Sequence, residues 1–441
     1  MHWFAAHLSF VCPVALTRAT RLRDDDDWRV RSVRSETAEL YERRNPTLTV
    51  QEDTAFRRDG APGVSRLWSG TSIARLDIPL GRGRAFIQAD HVRLDAGTFD
   101  TDDTGSHTEW FGTCNMQGAD AGGVTRSLPG CSGGLSQTAI GTGVALGYVD
   151  DRWAVDLGHS PFGFEVSNWL GGISYRGDLG QLGWRLSLSR RPMSNSLLSY
   201  AGTVDPRTGQ AWGGVVATGP SLGLSWDQGG RDGVWADISH QRLTGKNVAD
   251  NTRTRLMGGY YRRLINRVDT EFTLGLNAMY WTYQKDLSEY TLGQGGYYSP
   301  QRYFSLSLPV RYAHRTADWS YTIGGSVSRS WSRTADGTYY PLPGLLGSPL
   351  NTLAGQGVSA ASVMAASQTT GSGGGGFGYQ LQASAERRLN NHWVLGAALD
   401  LQKSQDYSPS RALIYLRYTF QPWQGNLPLP VSPITAYSEY K

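Results

Sequence analysis

The sequence contains no hydrophobic run long enough to cross a bilayer as a helix. The charge-free stretch from Gly337 to Ala385 is rich in Gly, Ser, Thr, Gln and Pro, whereas a membrane helix needs about 20 predominantly apolar residues. A strong net charge is lacking too, since 42 basic and 38 acidic residues leave a formal charge of +4. This balance provides no electrostatic footprint for nucleic acid, so we expect no nucleic-acid partner.

Lysine and cysteine are also scarce. Only four of the 42 basic residues are lysines, so arginine, a rigid and planar donor, carries almost all of the positive charge. Three cysteines are too few for a disulfide framework, but Cys114 and Cys131 share one polar, Gly-rich stretch and could close a loop there. Such a bridge would imply an oxidising compartment and would leave Cys12 over. The apolar residues at 3–16 lack the basic start and the small-residue cleavage site of a signal peptide.

Aromatic residues and glycine are plentiful instead. The chain has 15 Trp, 22 Tyr, 12 Phe and 55 Gly, with a mean hydropathy of −0.39. From about Thr47 to Phe420, apolar and polar residues alternate in segments that are separated by turn clusters. In Tyr303–Tyr312, for example, every second residue from Phe304 onward is apolar. This period is typical of strands with one apolar and one polar face.

The alternation predicts sixteen strands, near residues 47–57, 72–80, 84–94, 138–149, 152–159, 169–177, 182–191, 218–227, 233–242, 253–263, 268–284, 302–313, 318–332, 376–388, 391–403 and 410–420. Short turns alternate with longer loops, which is the layout of outer-membrane barrels with tight periplasmic turns and long outer loops. Sixteen strands also fall in the size class that leaves an aqueous channel. We therefore predict an all-β fold, a transmembrane up-and-down antiparallel barrel in the bacterial outer membrane.

Three parts of the chain are expected. They are an N-terminal lead-in at 1–46, in which the charged stretch Trp28–Arg44 indicates a helix, the barrel at 47–420, and a C-terminal tail at 421–441. Aromatic residues near strand ends, such as Trp319, Trp393 and Phe420, are typical of the girdles that flank a lipid-facing belt. A closed barrel is required because hydrocarbon leaves no other partner for backbone groups.

Enzyme signals are weak. Residues 219–223 fit G-x-S-x-G, but a nucleophile elbow needs a helix after the serine, and the alternating LGLSWD follows instead. The histidines show no metal-binding spacing. We predict no enzyme, no metal and no cofactor.

Several strings are too specific for composition to explain, namely those at Phe56–Leu67, Ser160–Gly172 (SPFGFEVSNWLGG), Ser189–Val215, Leu243–Arg253 (LTGKNVADNTR) and Gly293–Phe304 (GQGGYYSPQRYF). Together they resemble the C-terminal domain of the cellulose synthase operon protein C family, from about Trp28 to the final strand. The resemblance implies a porin-like barrel in outer-membrane lipid, through which a linear β-1,4-glucan, cellulose, leaves the periplasm. Components of the cellulose synthase complex are the implied protein partners. In that family the barrel follows tetratricopeptide repeats, and no helical repeat of about 34 residues occurs here.

Strand parity places a set of charged side chains toward the channel: Arg75, Asp77, Asp156, Arg185, Arg191, Asp237, Arg311, Glu386, Arg388, Asp400 and Arg417. These groups would offer exchangeable hydrogen bonds to sugar hydroxyls. The alternative is that they only solvate the pore and brace it through pairs of arginine and carboxylate.

A second set contains candidate contacts for the glucan: Tyr200, Asp205, Trp212, Trp235, Trp281, Tyr297, Tyr298 and Tyr303. Aromatic rings could stack on pyranose faces and still allow sliding, whereas the alternative for each is packing or a place in a girdle. Loops at 161–168, 192–215, 244–251 and 286–301 are expected to fold over the outer mouth. The Gly/Ala/Ser-rich segment 353–376 is expected to be mobile.

Two other functions remain open at this point. One is a soluble secreted β-protein that binds or cleaves glucan, and the other is a general diffusion porin. The even alternation of turn lengths favours a membrane barrel over the soluble protein. Only the family resemblance argues against the diffusion porin.

Overall fold

The computed structural model describes residues 13–57, 59–132, 135–404 and 408–440. It contains a closed antiparallel sheet with sixteen long strands. In chain order the strands are β1 (Thr47–Arg57), β2 (Leu67–Leu80), β3 (Gly83–Thr98), β4 (Ser136–Val149), β5 (Trp153–Phe162), β6 (Trp169–Leu179), β7 (Leu182–Pro192), β8 (Ala211–Asp227), β9 (Asp232–Lys246), β10 (Val248–Asn266), β11 (Thr270–Tyr283), β12 (Arg302–Arg315), β13 (Trp319–Arg333), β14 (Phe377–Arg388), β15 (Trp393–Lys403) and β16 (Pro409–Thr419). Each strand pairs with the next, and β1 also pairs with β16 along its whole length, which closes the barrel. The predicted fold class is confirmed.

The alternating sequence places apolar side chains on the outside of the barrel. In β12, Phe304, Leu306 and Leu308 are exposed, whereas the serines between them face inward. A belt of exposed apolar side chains around a closed sheet is stable in a bilayer, because closure pairs the backbone groups of both sheet edges.

Tight turns lie at one end of the barrel. The turn between β2 and β3 contains Gly81 with a φ of 58°, and the turn between β6 and β7 contains Gly180 with a φ of 62°. Glycine adopts this left-handed conformation without a steric penalty, so two-residue hairpins form there readily. The long loops all lie at the opposite end.

Strand limits differ from the prediction where the chain leaves the belt. β8 begins at Ala211 instead of 218, and its residues 211–217 are all buried by the outer loops, so no alternation marks them. The loop expected at 244–251 is a hairpin in which only Asn247 separates β9 from β10. Asn247 has a φ of 50°, a conformation that asparagine tolerates better than most residues.

Five α-helices lie outside the strands in the described part of the chain: α1 (Pro13–Ala19), α2 (Trp28–Arg44), α3 (Leu197–Ala201), α4 (Gly347–Ala354) and α5 (Ala360–Ala366). The Asp27 carboxylate caps α2, since it accepts hydrogen bonds of 2.8 Å from the backbone N–H groups of Arg29 and Val30. Residues 1–12, including Cys12 and most of the apolar run, lie outside the described residues. No described helix is long and apolar enough to span a membrane.

Candidate channel and its mouth

Four outer loops meet over one end of the barrel, and we call them the cap. They are 99–135, 193–210, 284–301 and 334–376, which follow β3, β7, β11 and β13. β3 and β11 lie on opposite sides of the barrel, yet the Gly112 N–H donates to the Tyr290 carbonyl at 2.9 Å. The Leu292 N–H donates to the Gly112 carbonyl at 3.2 Å. The cap therefore crosses the channel mouth.

The cap has its own hydrophobic core. The rings of Phe111 and Trp212 pack 5.3 Å apart, and both side chains are at most 2% exposed. A disulfide joins Cys114 to Cys131 within the first of the four loops. The segment 353–376, which was expected to be mobile, instead contributes α5, whose Val363 is fully buried in this core. That expectation was wrong because glycine content does not show where a helix face will be buried.

All eleven charged residues predicted to line the channel lie on inward-facing strand positions. Nine of them form ion pairs, namely Arg75–Asp77, Asp156–Arg191, Asp237–Arg255, Arg311–Glu271, Arg417–Glu386 and Arg388–Asp318. Arg185 Nη2 donates to Ser174 Oγ at 3.3 Å, and Asp400 accepts from Gln380 Nε2 at 2.6 Å. Most of the luminal charge is thus neutralised within the wall, which favours a bracing role over contact with a passing polymer.

Strand parity also places in the lumen two residues that were not singled out from the sequence, Arg411 and Asp53. Arg411 of β16 binds Asp53 of β1, the strands at which the barrel closes. The same guanidinium forms an ion pair with Glu439 at 3.1 Å. Because Arg411 and Asp53 are far apart in sequence, only the predicted closure of the barrel could have brought them together.

The C-terminal tail enters the channel. Arg315 Nη1, at the end of β12, donates to the Leu427 carbonyl at 3.0 Å. On another side of the lumen, Gln88 Nε2 of β3 donates to the Thr435 carbonyl, also at 3.0 Å. The tail therefore runs through the lumen as a strap between separate parts of the wall. Lys441 lies outside the described residues.

A charged cluster holds the end of the strap. The Tyr437 hydroxyl donates to Asp156 at 2.7 Å, and Arg191 binds the same carboxylate through two hydrogen bonds of 2.7 Å. The Arg191 guanidinium also lies 5.3 Å from the centroid of the Tyr437 ring. Arg191 and Asp156 were predicted to line the channel, and in this structure they bind the tail within it.

The eight predicted glucan contacts differ in exposure. Trp235, Trp281, Tyr298 and Tyr303 line open spaces in the lumen and below the cap. Asp205, Trp212 and Tyr297 are at most 1% exposed and belong to the interior of the cap, so they present no surface to a polymer in this arrangement. Tyr200 is 7% exposed, packs against Phe164 and lines a cavity in the lumen.

The three residues inside the cap stabilise it. The Asp205 carboxylate accepts hydrogen bonds from the backbone N–H groups of Thr113 at 2.7 Å and Thr208 at 2.8 Å, so it joins two loops. Burial raises the pKa of Tyr297, which keeps its hydroxyl neutral as a hydrogen-bonding partner of Asn251. Nothing in the local sequence distinguishes such cap residues from residues that would contact a polymer.

A cavity of about 650 Å³ lies below the cap, beside β11, β12 and β13. Three of the aromatic rings that line it form a cluster, in which the Trp281 centroid lies 4.8 Å from that of Tyr303 and 6.4 Å from that of Tyr298. Rows of serines continue the same wall: Ser305, Ser307, Ser326, Ser328 and Ser330. On the cap side of Glu271 and Arg311, the inward positions of these three fully described strands hold no Asp, Glu, Lys, Arg or His. We call this surface the aromatic–serine wall.

The structure shows no support for the enzyme-like motif. Ser221 lies inside β8, and its Oγ is 2.6 Å from Ser187 Oγ on β7. A strand continues beyond Ser221, so the strand–turn–helix of a nucleophile elbow is not formed. His107 lies near Cys114 and Cys131, but the disulfide occupies both sulfurs.

Comparisons with known proteins agree with this architecture. Residues 65–421 match the family described as cellulose synthase operon protein C C-terminus. Cellulose synthase operon protein C of Salmonella typhimurium is 42% identical over 427 residues, which cover 96% of this chain and 34% of the relative. The protein of the same name from Escherichia coli is 42% identical over 426 residues, covering 96% and 35%. The chain thus spans about a third of the length of these relatives.

A solved structure described as a bacterial polysaccharide outer membrane secretin shares the fold. Its TM-score is 0.51 at 12% identity, and the match covers 86% of this chain and 99% of that one. At this identity the likeness shows the fold alone. Together with the closed barrel and its apolar belt, these findings place the protein in the outer membrane. The chain belongs to the cellulose synthase operon protein C family, as the C-terminal barrel domain of that family.

Proposed function

We propose that the barrel is a channel through which a linear β-1,4-glucan, cellulose, crosses the outer membrane. The family name suggests cellulose as the polymer, and the chemistry of the luminal surface supports its passage through the barrel. Movement would be driven by polymer synthesis on the inner side, with components of the cellulose synthase complex as partners, because a passive barrel has no energy source. The barrel itself would perform no chemistry on the glucan.

The aromatic–serine wall carries this proposal. Pyranose rings present flat C–H faces that pack on aromatic rings, and such contacts tolerate sliding because they do not fix a register. Serine hydroxyls donate and accept hydrogen bonds, so they can exchange partners with successive sugar hydroxyls. A wall without charges avoids strong binding sites, which would stop the polymer.

The cap must open for a polymer to leave. It consists of loops packed around a small core, and such outer elements open at lower free energy than the strands that carry them. We therefore propose that the cap is a gate at the exit, and that glucan passes when its loops separate.

Current blockade in planar bilayers tests the wall. The probes are a soluble β-1,4-linked glucose hexamer and its α-1,4-linked isomer, added on the side of the short turns. The β-linked hexamer should block the current longer than its isomer, and Trp281→Ala with Tyr303→Ala should shorten its blocks at least threefold. Trp319→Leu, on the lipid face, is the matched control and should change nothing.

The same measurement separates the alternatives. Equal blockade by both hexamers, unchanged in the double variant, would indicate a general diffusion porin. Failure to insert, with the protein recovered in the soluble fraction, would favour a secreted glucan-binding protein. Shortening the cap loop 194–210 tests the gate, since unchanged conductance and unchanged glucan export would contradict it.

A further inference from the structure

Three arginines lie on the lipid-facing side of the barrel at its outer edge. Arg302 begins β12, whereas Arg329 and Arg333 lie near the end of β13. They share the parity of the exposed side chains Phe304 and Trp331, so they point away from the channel. In the part of the chain that the structure describes, none of the three forms an ion pair.

The pairing of the two strands places like charges together. Arg302 is directly opposite Arg333 in the register of β12 and β13. Directly opposed like charges destabilise a sheet, since their Cβ atoms are only about 5 Å apart. An anion between or above the two guanidinium groups would relieve this repulsion.

The aromatic girdle fixes the depth of this cluster in the membrane. Phe304 and Trp331 stack with centroids 5.7 Å apart, one step below the Arg302–Arg333 pair. The Arg329 guanidinium lies 4.5 Å from the centroid of the Phe377 ring. Aromatic girdles lie at the level of the lipid headgroups, so the arginines flank that level on both sides.

Space is available for a bulky group at the site. Arg333 pairs with Gly373 in the neighbouring segment, and a Cβ at that glycine would contact nothing within 4 Å. Arginine is suited to such a place, because its planar fork binds phosphate bidentately and its stem lies along apolar surface.

We propose that Arg302, Arg329 and Arg333 bind the phosphate groups of a phosphorylated lipid in the outer leaflet. Four residues along a strand span about 13 Å, so Arg329 and the Arg302–Arg333 pair form two levels. A headgroup with two phosphates can neutralise both levels at once. The lipid would anchor the barrel rotationally on the side that carries the aromatic–serine wall, independently of any role in export.

Native mass spectrometry of the detergent-solubilised protein tests the proposal. The probes are diphosphoryl lipid A, the same lipid with its phosphates removed, and inorganic phosphate. The variant Arg302→Gln/Arg329→Gln/Arg333→Gln should bind diphosphoryl lipid A at least tenfold more weakly than the parent protein. Arg82→Gln/Arg152→Gln/Arg231→Gln, which removes three exposed arginines from the short-turn end, is the matched control and should bind as the parent does.

Three results would overturn the proposal. They are equal binding in the triple variant and the control, equal binding of the dephosphorylated lipid, and displacement of the lipid by inorganic phosphate at equimolar concentration. The last would identify a simple anion site. Replacement of the three arginines with lysine keeps the charge and should keep most of the binding, and a heat-shifted gel band shows that each variant has folded.

Discussion

Truncation of Trp212 is expected to open the cap without unfolding the barrel. The side chain is fully buried in the cap core, and replacing such an aromatic residue with alanine costs about 3–5 kcal/mol. Each 1.36 kcal/mol is a factor of ten, so the open state of the cap should become roughly 10² to 5 × 10³ times more populated. The strands below keep their pairing, because the lost contacts lie among the loops.

The indole N–H of Trp212 has no hydrogen-bond partner among the described residues. The variant Trp212→Phe should therefore destabilise the cap less than Trp212→Ala does. It removes an unpaired buried donor and leaves a smaller cavity, and we expect a cost of about 1–2 kcal/mol. The rate at which a protease cleaves the cap and the single-channel open probability should both rise strongly for Trp212→Ala and slightly for Trp212→Phe. Trp235→Ala, in the lumen wall, should leave the proteolysis rate unchanged. If Trp212→Ala is cleaved and opens like the parent protein, this core does not hold the cap closed.

Three further predictions concern the cap and the strap. Replacing Cys114 and Cys131 with serine should destabilise the first cap loop by about 3 kcal/mol, because the bridge closes a short loop, and reductant should have the same effect on the parent protein in a proteolysis assay. Burial raises the pKa of Glu289 in the folded cap above its value in the unfolded chain. The contribution of Glu289 to the stability of the cap is therefore greatest below the unfolded pKa and is lost as the pH rises through the folded pKa. Glu289→Gln should therefore slow cap proteolysis at pH 7 and flatten its pH dependence. Tyr437→Phe removes the hydrogen bond to Asp156, and carboxypeptidase should then shorten the tail faster than in the parent protein.

The barrel could be predicted because the alternation of apolar and polar residues along each strand is a local feature of the sequence. In β12 the membrane side needs Phe304 and Leu306 and the water side accepts Ser305, so two-residue periodicity records the environment of each residue directly. Turn length then gives the topology, and the even number of strands gives closure. The same parity places Arg417 and Glu386 on the channel side, and the structure shows that they form an ion pair there.

The cap and the strap could not be predicted in this way. Trp212, at the outer end of β8, and Tyr298, in an outer loop, are both aromatic residues near the channel mouth, yet the first is fully buried and the second is 48% exposed. The difference in exposure arises from contacts with other loops, and the two-residue alternation of the sequence carries no information about such contacts. The tail is a comparable case, because Tyr437 is placed by Asp156 and Arg191, which lie far from it in sequence.

The strap and the aromatic–serine wall together explain how a wide barrel can provide a narrow path. Sixteen strands enclose an aqueous channel, which alone would pass many small solutes. The strap lies along the walls that carry Gln51, Gln88 and Asp156. Three of the luminal ion pairs belong to these walls: Arg75–Asp77, Asp156–Arg191 and Arg411–Asp53. One open cavity below the cap lies beside β11 to β13, whose inward positions on the cap side of Glu271 and Arg311 carry rings and hydroxyls and no charged group. The charged residues that line this cavity come from other elements: Arg57, Asp59, Arg253 and Lys403. Under the proposed function, a neutral chain of sugars would meet weak, repeated contacts along the aromatic–serine wall, while the tail binds Asp156 and Arg411 on another part of the barrel.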